Sequence, residues 1–387
     1  MLGRTDLVLA ASIMRIAQIA PLYERVPPIA YGATERVVHY LTEALVAQGH
    51  DVTLFASGDA ATSARLVACC ERALWRDTRV EDTLGAHVRL LEQVAQRAGE
   101  FDVLHFHCEP LHLPLARRLG TPSVTTMHGL LREPDLGALL REFADAPLVS
   151  ISASQRRALP FANWRATIHH GLPSNEFDFC PTPGDYLLWM GRMMHGKRAD
   201  LAIEIARRAR MPLKMAAAVH PGERAYFADE IAPLIERSAG FVEYLGEVGG
   251  DERAALLRHA RALLFPIDWE EPFGMVMIEA LACGTPVVAF RRGAVPEVIE
   301  DGISGFVVDD VDGALRALAR LDELDRARCR DAFDARFSAA RMAHDYVQVY
   351  RALAAGDDDH YNDHTHDDSE QGSLRSDAMA RAGALPE

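Results

Sequence analysis

Two carboxylates eight residues apart, Glu271 and Glu279, sit in the run Phe265–Phe290, FPIDWEEPFGMVMIEALACGTPVVAF. An apolar strand ends near Pro266 and an acidic turn follows. Glu271-Pro272-Phe273-Gly274 then opens a helix that Gly284 closes. A helix start points backbone N–H groups outward, and a carboxylate accepts from hydroxyls. The combination suits a ligand carrying both hydroxyls and phosphate, as a sugar nucleotide does. Glu279 is flanked by Met275, Val276, Ile278 and Leu281. A carboxylate on so buried a helix needs a partner, and ribose hydroxyls would serve. The plainer alternative is an exposed helix face with a capping acid.

A second cluster, Gly191-Arg192-Met193-Met194-His195-Gly196-Lys197, follows a predicted strand. Breaking a glycosyl–phosphate bond places about two negative charges on the leaving diphosphate, which a metal or fixed cations must neutralise. Arg192 offers a planar fork and Lys197 a point charge from one loop. A third feature, Ile29-Ala30-Tyr31-Gly32-Ala33-Thr34-Glu35, links the first strand to a helix whose N-terminus would accept a phosphate. It is not G-x-G-x-x-G, and no G-K-[ST] P-loop occurs, so nicotinamide and ATP readings lack support. His128, in Thr126-Met127-His128-Gly129, ends a strand as a cleft residue should. His105 and His107 share a strand face and read as hydrogen-bonded structure. Asp310-Val311-Asp312 has the D-x-D form of a metal site, but its place before an amphipathic helix favours an N-cap. G-x-S-x-G and H-E-x-x-H are absent, leaving serine and zinc hydrolases unsupported.

The elements that must position these groups alternate from Met14 onward. Strands are expected at Arg15–Ala20, Asp51–Ala56, Asp102–Phe106, Ser123–Met127 and Leu148–Ile151, with a helix over Thr34–Gln48. After Gly171–Gly184 the pattern restarts at Tyr186–Met190. It continues through Leu213–Ala218, Phe241–Leu245, Ala262–Phe265, Val287–Phe290 and Phe306–Val308. Such alternation predicts an α/β protein of two doubly wound, Rossmann-like domains facing a cleft, 14–174 and 175–337. A last helix falls in 338–355. Residues 1–13 read as an extension that precedes a true start at Met14, and 356–387 as a disordered acidic and histidine-rich tail.

At 387 residues with a formal net charge of −15, the chain expects two cores and no nucleic-acid partner. Nine acidic and two basic side chains fall in 356–387, so the tail carries −7 and the body −8. Six scattered cysteines form no C-x-x-C pair and point to a reducing cytoplasm. No run of eighteen apolar residues predicts a membrane span. Peripheral membrane contact has no support.

With these pieces assembled, the chain resembles glycosyltransferase family 4, retaining enzymes of the GT-B fold, over about Met14 to Ala354. Glu271 to Glu279 matches the E-x7-E pattern, the most specific element. GRMMHGK, EYLGEV at Glu243–Val248, GAVPEVIEDGISGFVV at Gly293–Val308 and TMHG support it. The opening APLYERVPPIAYGATERVVHYLTEALVAQGHDVTLFASGD is similar to an avilamycin-type subgroup. The resemblance implies a C-terminal helix crossing back to the first domain. It gives Arg192 and Lys197 to the donor diphosphate, Glu271 to sugar hydroxyls, and the Phe273 and Gly274 amides to sugar and phosphate. Glu279 falls to the ribose and His128 to the donor sugar. Gly32 lines the diphosphate or acceptor, and Glu247 and Val248 meet the base. Two departures stand out: Ala33 where a second glycine is usual, and His170 where asparagine is typical.

The implied reaction is metal-independent, cofactor-free, front-face transfer from a nucleotide-diphosphate sugar to a hydroxyl acceptor. A saccharide, a lipid-linked saccharide or a small metabolite all fit as acceptor, met by loops near Tyr23–Tyr31 and His105–Leu113. Rival readings are a nucleotide-sugar 2-epimerase on the same fold and a non-catalytic nucleotide-sugar-binding partner subunit.

Overall fold

The computed structural model describes residues 13–356, apart from 30, 31, 109, 132, 133 and 239. The expected extension up to residue 12, the tail beyond 356, and Ala30 and Tyr31 of the glycine loop therefore lie outside the described residues. Seven strands build the first sheet: β1 (Arg15–Ile19), β2 (Asp51–Ser57), β3 (Arg65–Cys70), β4 (Val103–Phe106), β5 (Ser123–Thr126), β6 (Leu148–Ser150) and β7 (Trp164–Thr167), in the order β3-β2-β1-β4-β5-β6-β7. Six build the second: β8 (Leu187–Met190), β9 (Leu213–Ala216), β10 (Val242–Gly246), β11 (Ala262–Phe265), β12 (Val287–Phe290) and β13 (Gly305–Val308), in the order β10-β9-β8-β11-β12-β13. Neighbouring strands in both sheets pair in parallel.

Central strands are apolar throughout because helices cover both faces of each sheet; LLWM of β8, ALLF of β11 and VVAF of β12 are buried at every position. The two strands not expected from sequence, β3 and β7, are the edges of the first sheet. Arg165 breaks the apolar run of β7, and β3, though apolar after Arg65, buries only Cys69.

Each sheet reverses its strand order once, between β1 and β4 and between β8 and β11. Loops leaving the carboxyl ends of these strands diverge there and open a crevice, the usual ligand position in an open parallel sheet. Two crossovers join the lobes side by side: the Leu172 N–H donates to Phe337 O at 2.8 Å, and the Ala339 N–H donates to Leu172 O at 2.7 Å. Gly171 lies so close to Ser338 that an added Cβ would sit 2.3 Å from its carbonyl oxygen, so no side chain fits there. After this crossing, the helix Ala339–Ala355 returns to the first lobe and packs on the helix Ala33–Ala47, as the resemblance implied. Ser338 caps it, its hydroxyl accepting from the Arg341 N–H at 3.2 Å. One apolar cluster runs through both lobes, joining Val37 and Tyr40 to Met277, Leu281, Phe337 and Tyr350. Among the described residues no helix is long and apolar enough to cross a membrane.

Candidate functional site

The second lobe's switch point brings together the loop after β8 and the segment after β11. The Asp268 N–H donates to Gly196 O at 2.9 Å, tying the two. Lys197 and Glu271 then form an ion pair, their side chains only 14% and 10% exposed. The Trp269 indole N–H donates to the same Glu271 oxygen, Oε2, at 2.8 Å. The Lys197 ammonium lies 5.1 Å from the Phe265 ring centre and 5.0 Å from that of Trp269, a cation held over two aromatic faces. Glycines make the fit close. A Cβ on Gly293 would come within 2.3 Å of the Glu271 backbone, and one on Gly196 within 3.3 Å of Trp269.

Gly274 caps the helix Met275–Ala282 with φ +89°, a conformation that favours glycine. The E-x7-E spacing thus puts Glu271 just before this helix and Glu279 inside it. Glu279 is fully buried, and its partner is one the sequence did not reveal. Its Oε2 pairs with Arg253 from the helix Gly250–His259, while Oε1 is buried without a hydrogen bond among the described residues. Arg192 likewise pairs with a carboxylate, Glu223, from the turn that follows β9. Glu247 is exposed and Val248 half-buried, just after β10.

From the first lobe, Gly32 stands before Ala33–Ala47 with φ +148°, and a Cβ there would meet Pro28 at 2.7 Å and the Glu35 carboxylate at 3.3 Å. Burial pushes the Glu35 carboxyl up to about 7, its own backbone hydrogen bond opposing and the Glu24 charge adding. Gln155 fixes the turn carrying His128: its amide N–H groups donate to Met127 O and Gly129 O, both at 2.8 Å. His128 bonds to His107 at 2.9 Å and stacks on His170 with ring centres 5.3 Å apart. His170 in turn meets Phe273 edge-on at 4.9 Å. His170 therefore bridges His128 to the E-x7-E segment. Burial lowers all three of these histidines, His128 to about 3, so their rings are neutral.

A groove of about 570 Å³ spans the lobes, lined by Leu130, Arg141, Arg157 and Phe161 on one side and Glu270 and Pro272 on the other. It adjoins the Glu271 turn, but Lys197, Glu271, Glu279 and His128 are not among its lining residues. Asp310 is an N-cap, its carboxylate accepting from the Gly313 N–H at 2.7 Å, and Asp312 pairs with Arg208. Among the described residues no cluster of three or more histidine, cysteine or acidic side chains is arranged to hold a metal ion. None of the six cysteines is in a disulfide.

Two family models match the chain, Glycosyltransferase Family 4 over residues 34–170 and Glycosyl transferases group 1 over 184–323. Glycogen synthase of Mycobacterium tuberculosis is 27% identical over 408 residues, spanning 89% of this chain and 96% of that protein. The crystal structure of AviGT4, a glycosyltransferase involved in avilamycin A biosynthesis, superposes with a TM-score of 0.67 at 25% identity, covering 89% of this chain and 98% of AviGT4. Anabaena HepE in complex with UDP and glucose superposes with a TM-score of 0.67 at 17% identity, covering 88% and 100%.

Proposed function

Because the chain belongs to glycosyltransferase family 4 and has its GT-B fold, we propose that it moves a sugar from a nucleotide-diphosphate sugar to a hydroxyl acceptor, with retention and without a metal ion. The acceptor is a saccharide, a lipid-linked saccharide or a small metabolite. The observation that carries this reading is the Lys197–Glu271 pair at the second lobe's switch point, beside the start of the helix Met275–Ala282. The same fold in HepE accommodates UDP and glucose, which supports a sugar nucleotide as donor.

Residues 175–337 would hold the donor and 14–174 the acceptor, with 338–355 fastening one to the other. The diphosphate would take Lys197 and Arg192 from their carboxylate partners, and the N–H groups of Phe273 and Gly274 would meet it or the sugar. Glu271 keeps Oε1 for a sugar hydroxyl, since Trp269 and Lys197 both engage Oε2. The unsatisfied Oε1 of Glu279 awaits a ribose hydroxyl. His128 would face the sugar, Gly32 the diphosphate or acceptor, and Glu247 and Val248 the base. The acceptor oxygen attacks the anomeric carbon on the face from which the diphosphate departs. The carbon–oxygen bond to the β-phosphate breaks, and a leaving phosphate oxygen takes the acceptor proton. Lys197 and Arg192 stabilise the charge that develops. Six cysteines held as thiols support a reducing, cytoplasmic setting.

Incubating the protein with a panel of sugar nucleotides and acceptors, with and without EDTA, tests the reading. The expected result is a glycoside of unchanged anomeric configuration, formed equally well with chelator. Free nucleotide and an inverted C2 centre without acceptor would instead make it a 2-epimerase. Donor binding without any turnover would make it a partner subunit.

A further inference from the structure

We propose that Tyr350, His105, Gln18 and His107 are positioning residues, a hydrogen-bond chain from the C-terminal helix that holds His128 with its proton on Nε2 and keeps Nδ1 as an acceptor for a donor-sugar hydroxyl. This rests on the reading that places His128 beside that sugar.

The polarity of the chain follows from one amide. Gln18 is fully buried on β1, and its Nε2–H donates to the Tyr350 hydroxyl at 3.1 Å. Its Oε1 lies 2.7 Å from His107 Nε2 and, as an acceptor only, requires a proton on that nitrogen. Burial keeps the His107 ring neutral, so one proton on Nε2 leaves Nδ1 bare. His107 Nδ1 sits 2.9 Å from His128 Nε2 and must accept there, so His128 carries its single proton on Nε2. His128 Nδ1 is then a lone pair, buried and without a hydrogen-bond partner among the described residues. Such an acceptor is suited to a hydroxyl and unsuited to a phosphate.

At the other end, the Tyr350 hydroxyl accepts from Gln18 and has its own proton to give to His105 Nδ1, 2.7 Å away. His105 Nε2 in turn reaches Thr126 Oγ1 at 2.7 Å. Donors and acceptors match at every link, which a chain of satisfied buried groups requires. The helix that supplies Tyr350 begins at the interlobe crossing, so the chain connects that junction to the His128 ring.

Side-chain nitrogen NMR of protein labelled with ¹⁵N-histidine, the His128 signals identified from the His128→Ala spectrum, reads the tautomer directly. The expected result at neutral pH is a protonated Nε2 and a bare Nδ1. Gln18→Met frees His107 to protonate Nδ1 and drives the His128 proton to its own Nδ1. Donor KM should then rise about tenfold while the acceptor KM stays within about twofold. Tyr350→Phe should act in the same direction but more weakly, and it carries the test alone should Gln18→Met not fold. A wild-type His128 protonated at Nδ1, or a tautomer unmoved in both variants, would overturn the proposal. An unchanged donor KM in His128→Ala would strike instead at the placing of His128 beside the sugar, while the ring spectra would still judge the chain.

Discussion

Lys197 and Glu271 neutralise one another, as do Arg192 with Glu223 and Glu279 with Arg253. Each pairing satisfies a poorly solvated charge that would otherwise be costly to bury. A donor diphosphate would exchange partners with the first two, so its binding free energy is the difference between two sets of ion pairs. On that basis Lys197→Ala should lower turnover by at least about a hundredfold, as for loss of a group that stabilises developing charge. Full turnover in that variant would remove the assignment. The cations and Glu271 were legible in the sequence because loops after strands carry them, and Glu279 because it is a carboxylate among the apolar residues of a buried helix. Their partners were not. Glu223 and Arg253 stand 31 and 26 residues from Arg192 and Glu279 and meet them only through tertiary packing, which no local spacing encodes; Trp269 lies two residues from Glu271, but nothing in its type announced an indole bond to that carboxylate. Glu35 shows another limit, since its burial is invisible from a helix-start position. The folded state keeps its proton up to about pH 7, whereas the unfolded chain releases it near about 4.3. Stability from this group is therefore full below about 4.3, declines as pH rises, and is gone above about 7. Glu35→Gln should be more stable than wild type at pH 8 by on the order of 2 kcal/mol. The gap should close at pH 4, as read from denaturant midpoints. A gap independent of pH would count against the assigned shift.

At the scale of elements, the apolar runs of the central strands and the helix breakers around them were readable because a parallel sheet covered on both faces demands them. The edges β3 and β7 were not, for they face neighbours on one side only. Arg165 interrupts the short run of β7 with a charge, and β3 opens on an exposed Arg65 and buries only Cys69. The helix Met275–Ala282 depends most on one residue. Gly274 turns the chain at φ +89°, and a Cβ would sit 2.7 Å from Met277 Cε and 3.3 Å from Glu271 Cγ. Gly274→Ala should cost about 1–3 kcal/mol of stability, from backbone strain and the displaced Met277. It should also reduce turnover more than the stability loss explains, because it pushes on Glu271 itself. Equal turnover per folded molecule would show that the turn does not set the glutamate's position.

Across the whole molecule, the two lobes meet not only at the paired crossovers but also through Glu297. This residue belongs to the second lobe's short helix Val295–Val298, yet its carboxylate accepts from the first lobe's Ala153 and Ser154 N–H groups, both at 2.7 Å. It thereby satisfies orphan donors at the start of the helix Ala153–Arg157, with His169 Nε2 3.4 Å away. Burial alone would raise the Glu297 carboxyl, but the bonds from His169, Ala153 and Ser154 outweigh it and hold it below the usual carboxylate range. The clasp is therefore fully present at neutral pH and is lost only as pH falls through that lowered value. Because Gln155 from the clasped helix also pins the His128 turn, opening the clasp should reach the proposed donor site as well as the angle between lobes. Glu297→Ala should lower stability at pH 7 by about 1.5–3 kcal/mol, as for charge-assisted bonds. Small-angle scattering of the ligand-free protein should show a larger radius of gyration, and donor KM should rise. Wild type taken into acid should approach the variant's radius before it unfolds. If radius and donor KM both match wild type at pH 7, the lobes are held by the crossovers and the shared apolar core alone.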